Sequence, residues 1–229
     1  TDEQRMKYRG DDFYEKNGVQ TFLGRTAVKI DPKEKIVFLD DGTVLDYDKL
    51  LVATGSRPFV PPAEGLDSVE KRFTFMTLDS AKALMAALTG ESRVLIVGAG
   101  LIGLKCAEGI SGKAASIDVV DLAGRILPSI LDETGSALVM EHIEKQGVRF
   151  HLSTSVEKFE NGTAFLKNDE QLPFDILVMA VGVRPNTDLV REAGGEVNRG
   201  IVTDDCCKTT LPDVYAAGDC TESEDISAG

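Results

Sequence analysis

Residues Val94 to Ile110 read VLIVGAGLIGLKCAEGI, and no other stretch limits the fold so tightly. Four consecutive apolar residues, Val94 to Val97, suit a strand buried on both faces, as a parallel sheet requires. Gly98 then permits a tight turn, Gly100 lets the backbone approach a pyrophosphate, and Gly103 lets the next helix pack closely on the strand. The N–H groups that open this helix, those of Leu101 and Ile102 among them, are left to face phosphate oxygens. GxGxxG alone is a weak signal, but here it lies between a strand and a helix, and Asp121 follows Gly98 by 23 residues at the end of the next strand. That is where a carboxylate hydrogen-bonds the adenine ribose. Such a carboxylate repels a 2′-phosphate, so NAD(H) is favoured over NADP(H). Arg125 reads as a solvated arginine or a partner for Asp121, with a phosphate contact as its other reading.

The 229 residues are 42% hydrophobic and carry a formal charge of -13. That is enough apolar material for one large or two modest cores. The acidic balance disfavours nucleic acid and anionic membrane as partners, so an anionic cofactor has to be held by local amides. No run approaches the roughly 18 apolar residues of a membrane span, and the start, TDEQRMKYRG, lacks the apolar core of a signal peptide; the expected location is the cytoplasm. Cys106, Cys206, Cys207 and Cys220 show neither metal-ligand nor disulfide-framework spacing, so no metal is expected and all four read as structural. Cys106 sits at helical spacing from Ile102 and Ile110, a core position.

Along the chain, residues 1 to 18 have no clear period. Gln20 to Ile30, Lys35 to Leu39 and Val44 to Tyr47 read as short strands, the last two turning at Asp41-Gly42. Leu50 to Ala53 reads as a further strand, and Pro58, Pro61 and Pro62 as a linker. Thr77 is the expected N-cap of a helix over Leu78 to Leu88. A βαβ pattern begins at Arg93, with a helix from about Leu101 to Gly112, a strand from Ser116 to Val120, a helix from about Leu131 to Gln146, and a strand from Val148 to Leu152. Ser155 to Phe159 and Thr163 to Leu166 form a hairpin at Asn161-Gly162, followed by strands at Ile176 to Val181, Ile201 to Val202 and Val214 to Ala217.

The chain repeats itself. YDKLLVATGSRP, Tyr47 to Pro58, aligns without gaps on FDILVMAVGVRP, Phe174 to Pro185, with Asp, Leu, Ala, Gly, Arg and Pro shared. A hairpin and a strand precede both copies, so two related domains are expected. The first copy's own glycine turn falls before residue 1, so the chain is expected to be part of a longer polypeptide.

Four ordered motifs carry a resemblance: LLVATGSRP (Leu50 to Pro58), VGAGLIG (Val97 to Gly103), VMAVGVRPN (Val178 to Asn186) and DVYAAGDC (Asp213 to Cys220). Together they resemble the pyridine nucleotide-disulfide oxidoreductase superfamily, in particular its NADH oxidase, nitrite reductase and rubredoxin reductase-like branch. The resemblance implies an α/β fold, with a Rossmann-like NAD-binding domain (residues 88–182, including a β-hairpin excursion) inserted into a partial FAD-binding domain (1–87 with a linker, and 183–229). It implies that Asp219 resembles the aspartate that hydrogen-bonds the FAD ribitol, against a bland reading as a helix N-cap. Ala53, Thr54 and Gly55 resemble the turn near FAD, and Val181 and Gly182 the turn beside the nicotinamide. The family often has Glu two residues after its third motif glycine, where this chain has Lys105; pairing with Glu108 is the alternative reading.

The function expected is that of an FAD-dependent NAD(P)H oxidoreductase, in which hydride passes from NADH to flavin and electrons go to an unidentified acceptor. The chain alone is expected to be nearly inactive. No residue is assigned as catalytic, and any homodimer belongs to the full-length protein. The competing reading is a non-catalytic NAD-binding module or regulatory subunit.

Overall fold

The computed structural model describes residues 6–223; residues 1–5 of the polar start lie outside them. In chain order, the first segment holds α1 (Phe13–Lys16), β1 (Ala27–Asp31), β2 (Ile36–Leu39), β3 (Val44–Asp46) and β4 (Leu50–Val52). Next come β5 (Ser56–Pro58), β6 (Arg72–Thr74), α2 (Leu78–Ala87), β7 (Arg93–Val97), α3 (Leu101–Ile110), β8 (Ser116–Val120), α4 (Glu133–Glu144) and β9 (Val148–His151). They are followed by β10 (Val156–Glu160), β11 (Thr163–Leu166), β12 (Gln171–Pro173), β13 (Ile176–Met179) and β14 (Val183–Pro185). The chain closes with α5 (Asp188–Glu192), β15 (Ile201–Val202), β16 (Val214–Ala216) and β17 (Thr221–Glu222). Two compact units result, one of Ser56–Arg184 and one built from the segments on either side of it.

The inner unit is centred on a five-stranded sheet of order β6-β13-β7-β8-β9, every pair parallel. The apolar runs of its central strands divide between two cores because successive strand residues point to opposite faces. Val94, Ile96, Ile117, Val119, Ile176 and Val178 pack with Leu84 of α2 and with Leu104, Ala107 and Ile110 of α3. Leu95, Val120, Leu177 and Met179 pack instead with Phe159, Ala164, Leu166 and Phe174 of the three-stranded antiparallel sheet β10-β11-β12. Helices thus cover one face and a second sheet the other, so a strand without alternation is what this position demands.

Local signals explain the helix ends. Thr77 accepts from the Ser80 N–H at 3.1 Å, and the Ser80 hydroxyl accepts from the Thr77 N–H at 3.0 Å, a reciprocal cap that starts α2. Asp132 accepts from the Gly135 N–H at 2.7 Å and starts α4. Asn161 and Gly162 both have positive φ, 49° and 72°, as a two-residue hairpin turn between β10 and β11 requires.

The outer unit contains an antiparallel sheet β1-β2-β3 and the parallel pairs β4-β16 and β15-β17. Ile30, Val37, Leu39, Val52, Val190, Ile201, Val214 and Ala216 form its core. The two repeat copies pass through the same elements. In each, a three-stranded antiparallel sheet leads into a parallel strand (β4 or β13), a turn at a positive-φ glycine (Gly55, 61°; Gly182, 122°) and a short strand ending in Arg-Pro.

Two expectations are corrected. The strand placed over Gln20 to Ile30 begins only at Ala27, because Gly24 turns the chain at φ 72°. Pro58 is not in a linker but ends β5, which pairs with β14 in a two-stranded ribbon; proline is tolerated there because such a ribbon is all edge.

Candidate functional site

In the inner unit, three neighbouring parallel strands end side by side, and each is followed by residues singled out in the sequence. Gly98 to Gly103 follow β7, Asp121 follows β8, and Ala180, Val181 and Gly182 follow β13. The carboxyl ends of such strands are where open α/β sheets bind ligands.

Gly98 has φ +116°, and a Cβ there would lie 2.3 Å from the Ala180 carbonyl oxygen and 3.0 Å from Val181 N. Only glycine lets the β7 exit lie so close to the β13 exit. A Cβ on Gly103 would lie 1.9 Å from the Gly98 carbonyl oxygen, which explains why α3 can start so close to the turn. Gly100 differs, since nothing lies within 4 Å of the Cβ it lacks. That open side is where a pyrophosphate has room. Gly98 N–H donates to Val120 O at 2.8 Å, and Leu104 N–H begins the helical ladder on Gly100 O at 3.0 Å. The N–H groups of Leu101, Ile102 and Gly103 lie in the first turn, where a helix offers no acceptor of its own. Amides and the positive end of α3 therefore make a cradle for an anion on a protein whose net charge is negative.

Asp121 is tied into this cradle. Its Oδ2 accepts from Ala99 N–H at 2.6 Å and its Oδ1 from Ala123 N–H at 2.8 Å. The carboxylate is thereby fixed beside the glycine turn, and each oxygen keeps a lone pair for a ribose hydroxyl. Arg125 matches neither a fully solvated arginine nor a partner for Asp121: it is half-buried, its Nη2 donates to Pro128 O at 3.2 Å, and its Nε is buried without a hydrogen-bond partner among the described residues. Beyond the turn, a pocket of about 420 Å³ is lined by Ala123, Gly124, Arg125, Glu133, Ser136 and Met140, among others. Lys105 is exposed and pairs with Glu108 at 2.8 Å.

In the outer unit, β4 and β16 run parallel, and both of their carboxyl ends carry singled-out residues. Ala53, Thr54 and Gly55 follow β4; Gly218 and Asp219 follow β16, and Ala217 N–H donates to Val52 O at 3.0 Å between them. Asp219 is exposed and sits in a turn that leads into β17, so among the described residues it caps no helix. Gly55 and Gly218 both have positive φ and open space where a Cβ would be. Both glycines therefore leave the carboxyl ends of β4 and β16 unobstructed by side chains at these two positions, with Asp219 next to Gly218.

Asn186, the last residue of the third motif, VMAVGVRPN, has no role assigned to it from the sequence. It holds the β4 turn on three sides: Asn186 N–H donates to Gly55 O at 2.9 Å, its Nδ2 donates to Thr54 O at 2.9 Å, and its carbonyl accepts from the Thr54 hydroxyl at 2.8 Å. Among the described residues no group of three or more His, Cys, Asp or Glu is placed to hold a metal ion, and no helix is long and apolar enough to cross a membrane.

Residues 4–228 match the family model described as pyridine nucleotide-disulphide oxidoreductase. The chain belongs to this family. It is 36% identical over 224 residues to a nitrite reductase [NAD(P)H] of Bacillus subtilis, covering 95% of this chain and 28% of that protein. It is 37% identical over 213 residues to the rubredoxin-NAD(+) reductase of Alcanivorax borkumensis, covering 91% and 55%. The chain thus spans between about a quarter and about half the length of these curated relatives. Among solved structures, a ferredoxin reductase from Rhodopseudomonas palustris superposes with TM-score 0.93 at 27% identity, over 100% of this chain and 57% of that one. The water-forming NADH oxidase of Lactobacillus brevis, bound to NADH, gives TM-score 0.87 at 28% identity, over 96% and 51%. An engineered NADPH oxidase made from it, bound to NADPH, gives TM-score 0.85 at 26% identity, over 96% and 51%. It carries five replacements: Gly to Ala; then, beginning eighteen residues on, Asp to Ala, Ala to Arg and Met to Ser in succession; and five residues later Pro to Arg.

Proposed function

We propose that this chain supplies the NADH-binding domain and flanking flavin-binding segments of an FAD-dependent NADH oxidoreductase. The observation that carries the reading is the Asp121 carboxylate, fixed by Ala99 and Ala123 beside an amide cradle with an open glycine. In this reading the cradle of Gly98, Gly100, Leu101, Ile102 and Gly103 holds the pyrophosphate, and Asp121 accepts from the adenine ribose hydroxyls. A 2′-phosphate would bring negative charge against that carboxylate, which favours NADH over NADPH. The spacing of the engineered oxidase's replacements supports this. Gly103, Asp121, Leu122, Ala123 and Pro128 stand at the same intervals here, with glycine, aspartate and proline at the matching places.

Val181 and Gly182, beside the glycine turn, then border the nicotinamide. Ala53, Thr54, Gly55 and Asp219 are the flavin contacts, with Asn186 holding their turn in place. Bound flavin supplies the capacity to accept a hydride and pass electrons on singly or in pairs. The residues of this chain bind and orient the two cofactors.

Anaerobic addition of NADH to the flavin-loaded parent protein is the test. Bleaching of the flavin absorption by NADH, and far more slowly by NADPH, is expected. NADH binding without any bleaching would replace this reading with a non-catalytic nucleotide-binding module.

A further inference from the structure

We propose that Cys206 and Cys207 form a dithiol site for trivalent arsenic bearing two exchangeable hydroxyls, and for thiophilic centres of the same kind. Both cysteines are free and exposed, whereas Cys106 and Cys220 are buried. They occupy the tip of a tight hairpin in the outer unit. Asp204 N–H donates to Lys208 O at 3.0 Å, and Cys207 N–H donates to Asp204 O at 2.9 Å. The Asp204 carboxylate accepts from Cys206 N–H at 2.9 Å and from Lys208 N–H at 2.8 Å. From the neighbouring strand β16, Ala216 N–H donates to Cys207 O at 2.9 Å.

These bonds hold the backbone while leaving both side chains in solvent. In a strand, adjacent side chains point to opposite faces. Here Cys207 lies in the left-handed region at φ 61°, so the loop turns between the two thiols. Their Cα atoms are about 3.8 Å apart across a trans peptide, and both residues are exposed. Two sulfurs so tethered can bind one soft centre at a much higher effective concentration than two separate thiols can. The reaction balances without an oxidant. Two As–S bonds form and two As–OH bonds break, the two thiol protons leave with the hydroxyls as two waters, and arsenic stays trivalent. The two buried thiols cannot compete: Cys106 is pushed up to about 12 by burial, and the Cys220 Sγ lies against the carbonyls of Val52 and Ala217 at 3.5 and 3.3 Å.

Phenylarsine oxide titrated into the reduced chain, read by intact mass and by maleimide counting under native conditions, tests this. The expected result is one phenylarsine per chain, with two maleimide-reactive thiols before addition, none after, and both restored by a small dithiol. Cys206→Ser and Cys207→Ser should each weaken binding by at least about tenfold, while Cys106→Ser leaves it unchanged. A single variant that keeps full affinity, or thiols that still take maleimide after phenylarsine oxide is added, would overturn the proposal. Both serine variants lie on an exposed loop, and unchanged circular dichroism verifies that they fold.

Discussion

Replacing Gly98 by alanine separates the demands of the fold from those of the cofactor. The Gly98 φ of +116° lies in a region that side chains rarely adopt, which costs about 1–3 kcal/mol. The new Cβ would also lie 2.3 Å from Ala180 O and 2.6 Å from Ala180 C. Both are backbone atoms, at the end of a strand hydrogen-bonded on either side, so they cannot rotate away. Forcing β7 and β13 apart adds about 1–3 kcal/mol. Gly98→Ala should therefore lose about 2–6 kcal/mol, a large part of a typical domain stability of about 5–15 kcal/mol. Gly182→Ala is the matched control: its φ is +122° but nothing lies within 4 Å, so only the conformational part, about 1–3 kcal/mol, is expected. Urea unfolding followed by circular dichroism measures both. If Gly98→Ala lost no more than Gly182→Ala, the close packing of the two strand exits would not be what requires glycine.

Gly100→Ala should behave in the opposite way. With φ of -82° and free space around it, the change should alter stability by under about 1 kcal/mol while sharply weakening NADH binding by calorimetry. Asp118, 5% exposed, is pushed up by burial, but hydrogen bonds from Arg149 (2.8 and 2.6 Å) and His151 (3.0 Å) outweigh that and lower it. A carboxylate lowered on folding stabilises fully above its unfolded pKa of about 3.9 and loses that contribution as pH falls through its folded value. Arg149→Met should cost about 1–2 kcal/mol at neutral pH, discounted because the arginine is itself largely exposed, and acid unfolding should begin at a higher pH; an unchanged acid limb would contradict this. Lys105→Ala should change stability by under about 0.5 kcal/mol in urea, because the ion pair with Glu108 is exposed on both sides.

The inner sheet was legible because its signals are local. Val94 to Val97 and Ser116 to Val120 carry their burial in their own composition, and Thr77 carries its cap three residues from Ser80. What escaped was decided by distant pairing. β6 (Arg72–Thr74) is a strand only because it lies beside β13, about a hundred residues later. Asp118 reads as an interruption of an apolar strand until the β8–β9 register sets Arg149 directly opposite it. Asn186 stood within a recognised motif, yet its hold on Thr54 and Gly55 depends on a contact 132 residues apart. The cysteine pair read as structural because sequence spacing carries no information about exposure.

Calorimetric titration of the chain with NADH and with NADPH, repeated on Asp121→Ala combined with Leu122→Arg, tests the central claim most directly. The wild-type chain should bind NADH at least about tenfold more tightly than NADPH, a difference of about 1.4 kcal/mol, and the double variant should lower that ratio at least tenfold. Equal affinities in the wild type, or a ratio untouched by the two substitutions, would contradict the role assigned to Asp121.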